Sequence, residues 1–384
     1  MTRPSVLIAA RLAPTGYGGL AQYQRLLARE LREQADVTSR FFAMRDGPSN
    51  TPFPEGSAIC FDAGKRAPTP LWMRLAPRRL FHALLEISIR RTFARELRKA
   101  TPIRPTSIHF VGTGWDFFGF ALNAHARQLG ATFTVWPAVH PGQWGDDAID
   151  VRLYNKADTV FCQSRFEMRH LIDRGVEQSK PVVCGLPPMC GPDGDGVGFR
   201  SARGVAGPSV LFVGHRVAEK GYQALARAWP IVIAKFPDAV LLVAGEDGPN
   251  ASKALATIPS KNIRDLGTPD QKTIADAFAG CDIFCMPSSD ESFGIAYAEA
   301  WSYAKPVICG PAPAPREWIE HGVTGLHASQ EPTHIAAAIM SLFANPMLAR
   351  KMGHNGLTFQ QTYLTAKGML EKHLAAFKIS PSTE

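Results

Sequence analysis

The sequence has 384 residues, with 42 Lys and Arg against 34 Asp and Glu, so its formal net charge is +8. A hydrophobic fraction of 45% and a charged fraction of 20% are typical of a globular chain and exclude a disordered tail, a collagen and a coiled coil. The basic charge lies in the first half: residues 1–190 carry 25 basic and 16 acidic side chains, a net charge of +9. This asymmetry favours an anionic partner. No nucleic-acid-binding motif accompanies it, so we expect no nucleic acid.

The N-terminal apolar run, residues 6–10, is too short for the hydrophobic region of a secretory signal. No stretch approaches the roughly 18 apolar residues that a membrane span needs. The seven cysteines are scattered among apolar runs, which suits a reducing compartment better than a disulfide framework. We therefore expect a cytoplasmic protein, and docking at the inner face of the membrane stays open.

Short apolar runs alternate with helical periodicity along the first half of the chain, which predicts a parallel sheet with helices on both faces. Its predicted strands are residues 6–10, 37–44, 108–111, 132–139 and 159–162. We assign residues 1–190 to one α/β domain.

Residues 191–208 are rich in Gly and Pro and lack apolar periodicity, so they are predicted to be an interdomain linker. The alternation of strands and helices then restarts and defines a second α/β domain, residues 209–359. A last helix, about residues 360–380, is expected to pack back on the first domain. Two such domains would face each other across a central cleft, with the carboxyl ends of their strands lining it.

A glycine-rich motif, Gly16-Tyr-Gly18-Gly19-Leu-Ala21, follows the first strand. It fits the dinucleotide pattern G-x-G-x-x-A loosely, because a true fingerprint begins directly at the strand end. Gly18 and Gly19 are candidates for an anion- or substrate-facing turn, since free N–H groups at a helix N-terminus favour an anion. A flexible turn is the alternative.

The corresponding turn of the second domain carries three basic side chains. His215 and Arg216 follow a strand, and Lys220 directly precedes a glycine that opens a helix. Charge and free backbone N–H groups would converge there on a diphosphate.

Two glutamates, Glu291 and Glu299, lie eight residues apart around Phe293-Gly294, at the start of a predicted helix. Eight helical residues rise about 12 Å, whereas the two carboxylates of a retaining glycosidase lie about 5 Å apart. The two acids must therefore serve different parts of one elongated ligand. A nucleotide sugar is such a ligand, with Glu291 at the sugar hydroxyls and Glu299 at the ribose diol.

These residues resemble the retaining GT-B glycosyltransferases of family 4, whose hallmark is Glu-x7-Glu with Phe-Gly between. The resemblance covers residues 209–330 closely, including the motifs at 245–248, 263–267 and 320–325, and residues 1–190 more loosely. It implies the GT-B fold, with two Rossmann-like domains. The second domain would bind the donor and the first the acceptor.

Carried over residue by residue, the resemblance implies a donor site in the second domain and a histidine in the first. Lys220 would bind the diphosphate, and Glu299 the ribose. Glu291 and the backbone at Phe293, Gly294 and Ile295 would hold the transferred sugar. Ile263 and Leu266 would flank the base, and His140 would lie near the donor sugar. His215 stands where the family commonly has Arg, so either His215 or Arg216 could contact the diphosphate.

We therefore expect a transferase that needs no cofactor and no metal. It would move a hexose from a UDP- or GDP-linked sugar to a hydroxyl of a glycan or a lipid-linked acceptor and retain the anomeric configuration. Glu291, His140 and Lys220 are the expected catalytic residues. Two alternatives remain, a catalytically silent nucleotide-binding protein and an NAD(P)-dependent oxidoreductase, which depends on residues 16–21 alone.

Residues 71–104 contain nine basic and two acidic side chains around an apolar stripe. A basic amphipathic helix is typical of a segment that binds an anionic membrane surface. An ordinary domain helix with a solvated basic face explains the pattern equally well, and the sequence leaves both interpretations open.

Overall fold

The computed structural model describes residues 3–12, 14, 19–45, 50–53, 56–60, 78–249, 251–256 and 258–380. The chain divides into two compact units. The first comprises residues 1–184 together with 366–384, and the second comprises residues 185–365. The division therefore falls at 184, whereas the sequence predicts a boundary at 190.

The described strands are β1 (Ser5–Leu12), β2 (Thr38–Arg45), β3 (Asn50–Phe53), β4 (Gly56–Cys60), β5 (Ser107–Val111), β6 (Thr132–Trp136), β7 (Thr159–Cys162), β8 (Pro181–Val183), β9 (Ser209–Val213), β10 (Val240–Ala244), β11 (Ile263–Asp265), β12 (Ile283–Met286), β13 (Val307–Cys309) and β14 (Gly325–His327). The described α-helices are α1 (Gly19–Ala35), α2 (Arg78–Ala100), α3 (Phe118–Leu129), α4 (Ala148–Tyr154), α5 (Arg165–Asp173), α6 (Gly196–Ala202), α7 (Tyr222–Lys235), α8 (Ala251–Leu255), α9 (Gln271–Gly280), α10 (Ile295–Ser302), α11 (Pro313–Arg316), α12 (Pro332–Ala344), α13 (Pro346–Tyr363) and α14 (Ala366–Phe377). Two 3₁₀ turns, Gly114–Asp116 and Ser260–Asn262, complete the set.

The first unit contains a sheet in the order β3-β4-β2-β1-β5-β6-β7-β8. All its neighbouring strands are parallel except β3 and β4. The central strands are buried on both faces, as the continuous apolar runs of the sequence predict. Strand β6 ends at Trp136 rather than at the predicted residue 139, because Pro137 has no N–H to continue the ladder and Ala138 adopts a positive φ of 52°.

Helix α2 packs its apolar side into the core of the first unit. Ile89, Phe93 and Leu97 recur every four residues and belong to the same buried cluster as α3. Part of the apolar stripe predicted in residues 71–104 is therefore core. Residues 71–77 lie outside the described residues.

The second unit contains a sheet of six parallel strands in the order β11-β10-β9-β12-β13-β14. The predicted linker, residues 191–208, lies within this unit and includes α6, which packs against α9 through the buried Phe199. The six cysteines whose side chains the structure describes are buried and form no disulfide, consistent with a role as small core residues.

Helix α14 belongs to the first unit, where a chain of hydrogen bonds ties it to the sheet. His373 Nδ1 lies 2.7 Å from the Met369 carbonyl, which can only accept, so this nitrogen carries the proton. The Tyr23 hydroxyl therefore donates to His373 Nε2 over 2.7 Å and accepts from His109 Nε2 over 2.9 Å. His109 Nδ1 then accepts from the Thr134 hydroxyl, also over 2.9 Å. Both histidines are neutral in this arrangement.

Candidate functional site

The second unit brings Lys220 and Glu291 into contact. Lys220 lies in the loop between β9 and α7, and Glu291 lies in the loop between β12 and α10. Lys220 Nζ is 2.8 Å from Glu291 Oε1 and 2.9 Å from the Asp290 carbonyl oxygen. Because β9 and β12 are parallel neighbours, both loops leave the same edge of the sheet. Two of the expected catalytic side chains therefore meet at the carboxyl ends of these strands.

Glycines bring these loops close to each other and to the helices that follow. Gly221 caps α7 with a φ of 74°, and a Cβ there would collide with the Pro287 carbonyl oxygen. Gly294 caps α10 with a φ of 86°, and a Cβ there would lie 2.7 Å from the Tyr297 ring. Both positions need glycine for its positive φ and for close packing.

A glutamine that the sequence does not reveal ties the same two loops together. Gln330 Nε2 donates to the Pro287 carbonyl over 2.9 Å and to the Ala218 carbonyl over 3.2 Å. Ser288 adds a third link, because its hydroxyl donates to the Glu219 carbonyl over 3.0 Å. Gln330 lies between β14 and α12, and no spacing or motif in the sequence distinguishes it.

Arg216 does not extend from the strand end toward a ligand. Only 2% of this residue is exposed. Its guanidinium donates to Asp247 over 2.8 Å and to both carboxylate oxygens of Asp265. Burial raises the pKa of Asp265, but hydrogen bonds from Arg216 and Gly267 outweigh it and hold that pKa below its ordinary value. In this structure Arg216 therefore forms a buried ion pair with Asp247 and Asp265, whereas His215, the other candidate for the diphosphate contact, is exposed.

Glu299 lies on α10 with 8% of its surface exposed. Burial raises the pKa of its carboxyl to about 7, although hydrogen bonds from the backbone at Cys190 and Met189 act in the opposite direction. The residue is therefore a carboxyl group that changes charge near neutral pH.

The other second-unit candidates lie on neighbouring elements. Ile263 and Leu266, both half-buried, lie at the start and just beyond the end of edge strand β11. The Phe293 ring is buried and stacks on Trp318 with ring centroids 5.1 Å apart, so only its backbone could meet a sugar. Ile295 is the first residue of α10 and follows Gly294.

Two candidates lie in the first unit. His140 follows β6 at the start of a tight turn: its N–H donates to the Trp144 carbonyl over 3.0 Å, and the Trp144 N–H donates back over 2.8 Å. Gly19 is the exposed first residue of α1. Gly18 lies outside the described residues.

Within the parts of the chain that the structure describes, no group of three His, Cys, Asp or Glu side chains could hold a metal ion. Asp195, in the sequence Asp193-Gly-Asp195, caps α6 by accepting from the Gly198 N–H over 2.9 Å. The described helices include none that is long and apolar enough to cross a membrane.

Two family models match the chain, each over less than half of its length. The model for glycosyl transferases group 1 matches residues 200–359, and the model for a glycosyl transferase 4-like domain matches residues 18–187. Together the two matches span most of both units.

Curated relatives match over shorter stretches. A phosphatidyl-myo-inositol mannosyltransferase from Mycobacterium tuberculosis is 31% identical over 137 residues, which is 35% of this chain and 36% of that protein. A GDP-mannose-dependent monoacylated alpha-(1-6)-phosphatidylinositol monomannoside mannosyltransferase from Corynebacterium glutamicum is 30% identical over 148 residues, 36% of this chain and 39% of that one. The chain thus spans little more than a third of the length of these relatives.

A solved structure is similar over nearly the whole chain. Sucrose-phosphate synthase from Thermosynechococcus elongatus superimposes with a TM-score of 0.76 over 98% of both chains at 20% sequence identity. At this identity the likeness establishes the fold, which agrees with the expected pair of α/β units. These matches, one in each unit, and this fold support the identification of the chain as a GT-B glycosyltransferase similar to family 4.

Proposed function

We propose that this protein is a retaining glycosyltransferase that moves a hexose from a nucleoside diphosphate sugar to a hydroxyl acceptor. The observation that carries the proposal is the contact between Lys220 and Glu291 at the carboxyl ends of β9 and β12. A cation beside a carboxylate suits the junction of a diphosphate and a sugar, because the cation attracts the phosphate and the carboxylate accepts from sugar hydroxyls.

Lys220 is the group that would hold the leaving diphosphate. It directly precedes the capping Gly221 of α7, so the ammonium group and the free N–H groups of the first helical turn act on the same charge. As the bond to the sugar breaks, these groups stabilise the growing negative charge, and the reaction needs no metal. A donor phosphate oxygen is the proposed base for the acceptor hydroxyl. Arg216 would support the strand ends from within the protein.

The remaining candidates would orient the donor. Glu291 would accept from the hydroxyls of the transferred sugar, and Glu299 from the ribose diol. His140 of the first unit would contact the sugar near the bond that breaks. The curated relatives include mannosyltransferases, one of them named as GDP-mannose-dependent, and this supports GDP-mannose as the first donor to test before UDP-linked sugars.

We also propose that the acceptor is a glycan or lipid-linked molecule at the cytoplasmic face of a membrane. The net charge of +9 over residues 1–190 supports this, as do relatives whose names specify phosphatidylinositol acceptors. Described side chains that would face an anionic surface include Arg91 and Arg98 on the exposed side of α2.

The test compares Lys220→Met with Lys235→Met, which removes an exposed lysine from the other end of α7. Sugar transfer and donor hydrolysis are measured with GDP-mannose, UDP-glucose and UDP-galactose, in EDTA and in Mg²⁺. We expect turnover with one donor, unaffected by EDTA. Loss of a charge-assisted contact worth ~1.5–3 kcal/mol should lower kcat/KM by at least tenfold in Lys220→Met, and Lys235→Met should match the wild type.

Binding measurements decide between the alternatives. A nucleotide that stabilises the protein in thermal shift without any turnover would favour the catalytically silent protein. Stabilisation by NAD or NADP, with none by GDP, UDP or ADP, would favour the oxidoreductase. If both lysine variants transferred sugar as fast as the wild type, the proposed role of Lys220 would be refuted.

A further inference from the structure

One buried carboxylate of the first unit connects two segments at the carboxyl edge of its sheet. Glu167 lies in the first turn of α5, three residues after Ser164, and only 1% of it is exposed. Its Oε1 accepts from the Val139 N–H over 2.8 Å, and its Oε2 accepts from the Gln163 N–H over 2.6 Å. Val139 directly precedes His140, so the carboxylate fixes the backbone next to that histidine.

The sequence explains only the helix-capping part of this arrangement. Ser164 caps α5 by accepting from the Glu167 N–H over 3.1 Å, as the pattern Ser164-Arg-Phe-Glu167 predicts. The bond from the Val139 N–H to Glu167 joins residues 28 positions apart and has no counterpart in a helix cap. It crosses from α5 to the loop after β6.

The loop that Glu167 holds has an unusual backbone. Ala138 adopts a φ of 52°, a conformation that costs a non-glycine residue free energy and persists only where neighbours enforce it. Three hydrogen bonds hold the backbone that directly follows Ala138: one from the Val139 N–H to Glu167, and two between His140 and Trp144. The backbone of His140 is therefore fixed before any ligand binds.

The contacts of Glu167 suit a carboxylate and no other side chain. Each of its oxygens faces a backbone N–H, so an ionised carboxylate accepts both bonds. A glutamine would present its own N–H₂ to one of those donors and lose that bond. Glu167 is also too buried to reach a substrate, with 1% of it exposed.

We propose that Glu167 is a positioning residue for sugar transfer, and that it acts through the backbone of Val139 to hold His140 in its reactive place. The inference rests on the proposed function, because it assumes that His140 contacts the donor sugar. It adds a residue that touches neither donor nor acceptor to the machinery of the reaction.

The experiment is a double-mutant cycle of Glu167→Gln and His140→Ala with Asp158→Asn as the matched control. Asp158 also accepts a backbone N–H, that of Phe133 over 2.8 Å, but near the amino end of β6, at the edge opposite His140. Transfer is measured as kcat and donor KM, stability as the midpoint of urea unfolding, and local opening as hydrogen exchange of the peptide over residues 137–145.

We expect Glu167→Gln to lower kcat by tenfold or more, with a change in donor KM of less than threefold, and to speed exchange of residues 137–145. In the His140→Ala background the same substitution should cause no further loss of kcat. Asp158→Asn should lower stability. It should leave kcat and the hydrogen exchange of residues 137–145 unchanged.

Two results would overturn the proposal: unchanged exchange and kcat in Glu167→Gln, or an equal loss of kcat with and without His140. Absence of transfer by the wild type would instead count against the proposed function. The exchange measurement would still decide whether Glu167 holds the loop, since it needs no substrate.

Discussion

At the scale of single residues, two ionisable groups among the candidate donor-binding residues, Arg216 and Glu299, differ in how their charge depends on pH. Arg216 keeps Asp265 ionised, so that pair stays charged over the whole neutral range. Glu299 is different, because burial raises the pKa of its carboxyl to about 7. The ionised form of Glu299 is the stronger acceptor for bonds from the backbone and, in the proposed role, from a ribose diol, because protonation turns one of its oxygens into an O–H donor.

Donor affinity should therefore fall as the pH falls through about 7. With a pKa near 7, roughly nine-tenths of Glu299 is ionised at pH 8 and one-tenth at pH 6, so the dissociation constant of the sugar nucleotide should rise about tenfold over that range. Calorimetric titration with GDP-mannose at both pH values measures this, since the diphosphate of a sugar nucleotide stays ionised throughout.

Glu299→Gln should bind the donor weakly at both pH values and lose this dependence. Glu371→Gln, which changes an exposed glutamate of α14, should keep it. A pH dependence that survives in Glu299→Gln would assign it to another group.

At the scale of elements, α14 depends on the hydrogen bonds of a buried neutral histidine. Burial is the main reason that the pKa of His373 is lowered to about 4, and burial together with His373 lowers the pKa of His109 as well. If His373 were protonated, the N–H groups of both histidines would face the Tyr23 oxygen. The hydroxyl proton of Tyr23 would then have no acceptor.

The first unit should lose stability as the pH falls from about 6.5 toward 4. The unfolded chain takes up the proton near pH 6.5 and the folded chain only near pH 4, so His373 alone contributes about 3 kcal/mol at pH 7 that is lost progressively over this window. Urea unfolding at pH 7.5 and pH 5, followed by tryptophan fluorescence, measures the loss.

His373→Leu should be less stable than the wild type at pH 7.5, because the Tyr23 hydroxyl loses its acceptor. The stability of this variant should also change less with pH. Some pH dependence should remain, because His109 is also buried and neutral. His354→Leu, at an exposed position of α13, serves as the control and should behave as the wild type. Equal pH dependence in all three proteins would contradict the role of His373.

The elements that the sequence predicts well are those whose burial is complete. The strands at 108–111 and 209–213 are mostly apolar and almost wholly buried, and such runs are typical of a parallel sheet that is covered on both faces. Lys220 and Glu291 could also be proposed together, because each follows a predicted strand. The sequence does not reveal contacts between side chains far apart in the chain.

Arg216 illustrates this limit. From the sequence it is a basic residue at a strand end, open to a phosphate. Its bidentate partner, Asp265, lies 49 residues away on another strand, and only the order of β9, β10 and β11 brings the two together. Glu167 and Gln330 are similar cases, because their decisive partners are backbone atoms, which leave no signature in residue types.

At the scale of the whole molecule, the charge asymmetry of the sequence coincides with an exposed basic side of α2. Since Ile89, Phe93 and Leu97 face the core, the side available to a membrane is the opposite one, with Arg91 and Arg98. That side also exposes Leu80 and Ile87, at 51% and 45%. It combines basic and apolar side chains, as a helix at a lipid surface does.

Arg91→Glu/Arg98→Glu should weaken binding to vesicles that contain anionic phospholipid by at least thirtyfold, because each basic side chain near such a surface contributes about 1 kcal/mol. Co-sedimentation with anionic and with purely zwitterionic vesicles measures this. Arg227→Glu/Lys235→Glu, a matched double reversal at exposed positions of α7, should bind as the wild type. Binding unchanged by the first pair would exclude this side of α2.

The first unit takes residues from both sides of the second, so the order of synthesis matters to its folding. A ribosome makes the sheet of the first unit, then the whole of the second unit, and only then residues 366–377. Until α14 emerges, Tyr23 and His109 lack the partner that completes their hydrogen-bond chain. The unit whose strands are made first is therefore the one that is completed last, and during about half of translation its sheet exists without α14.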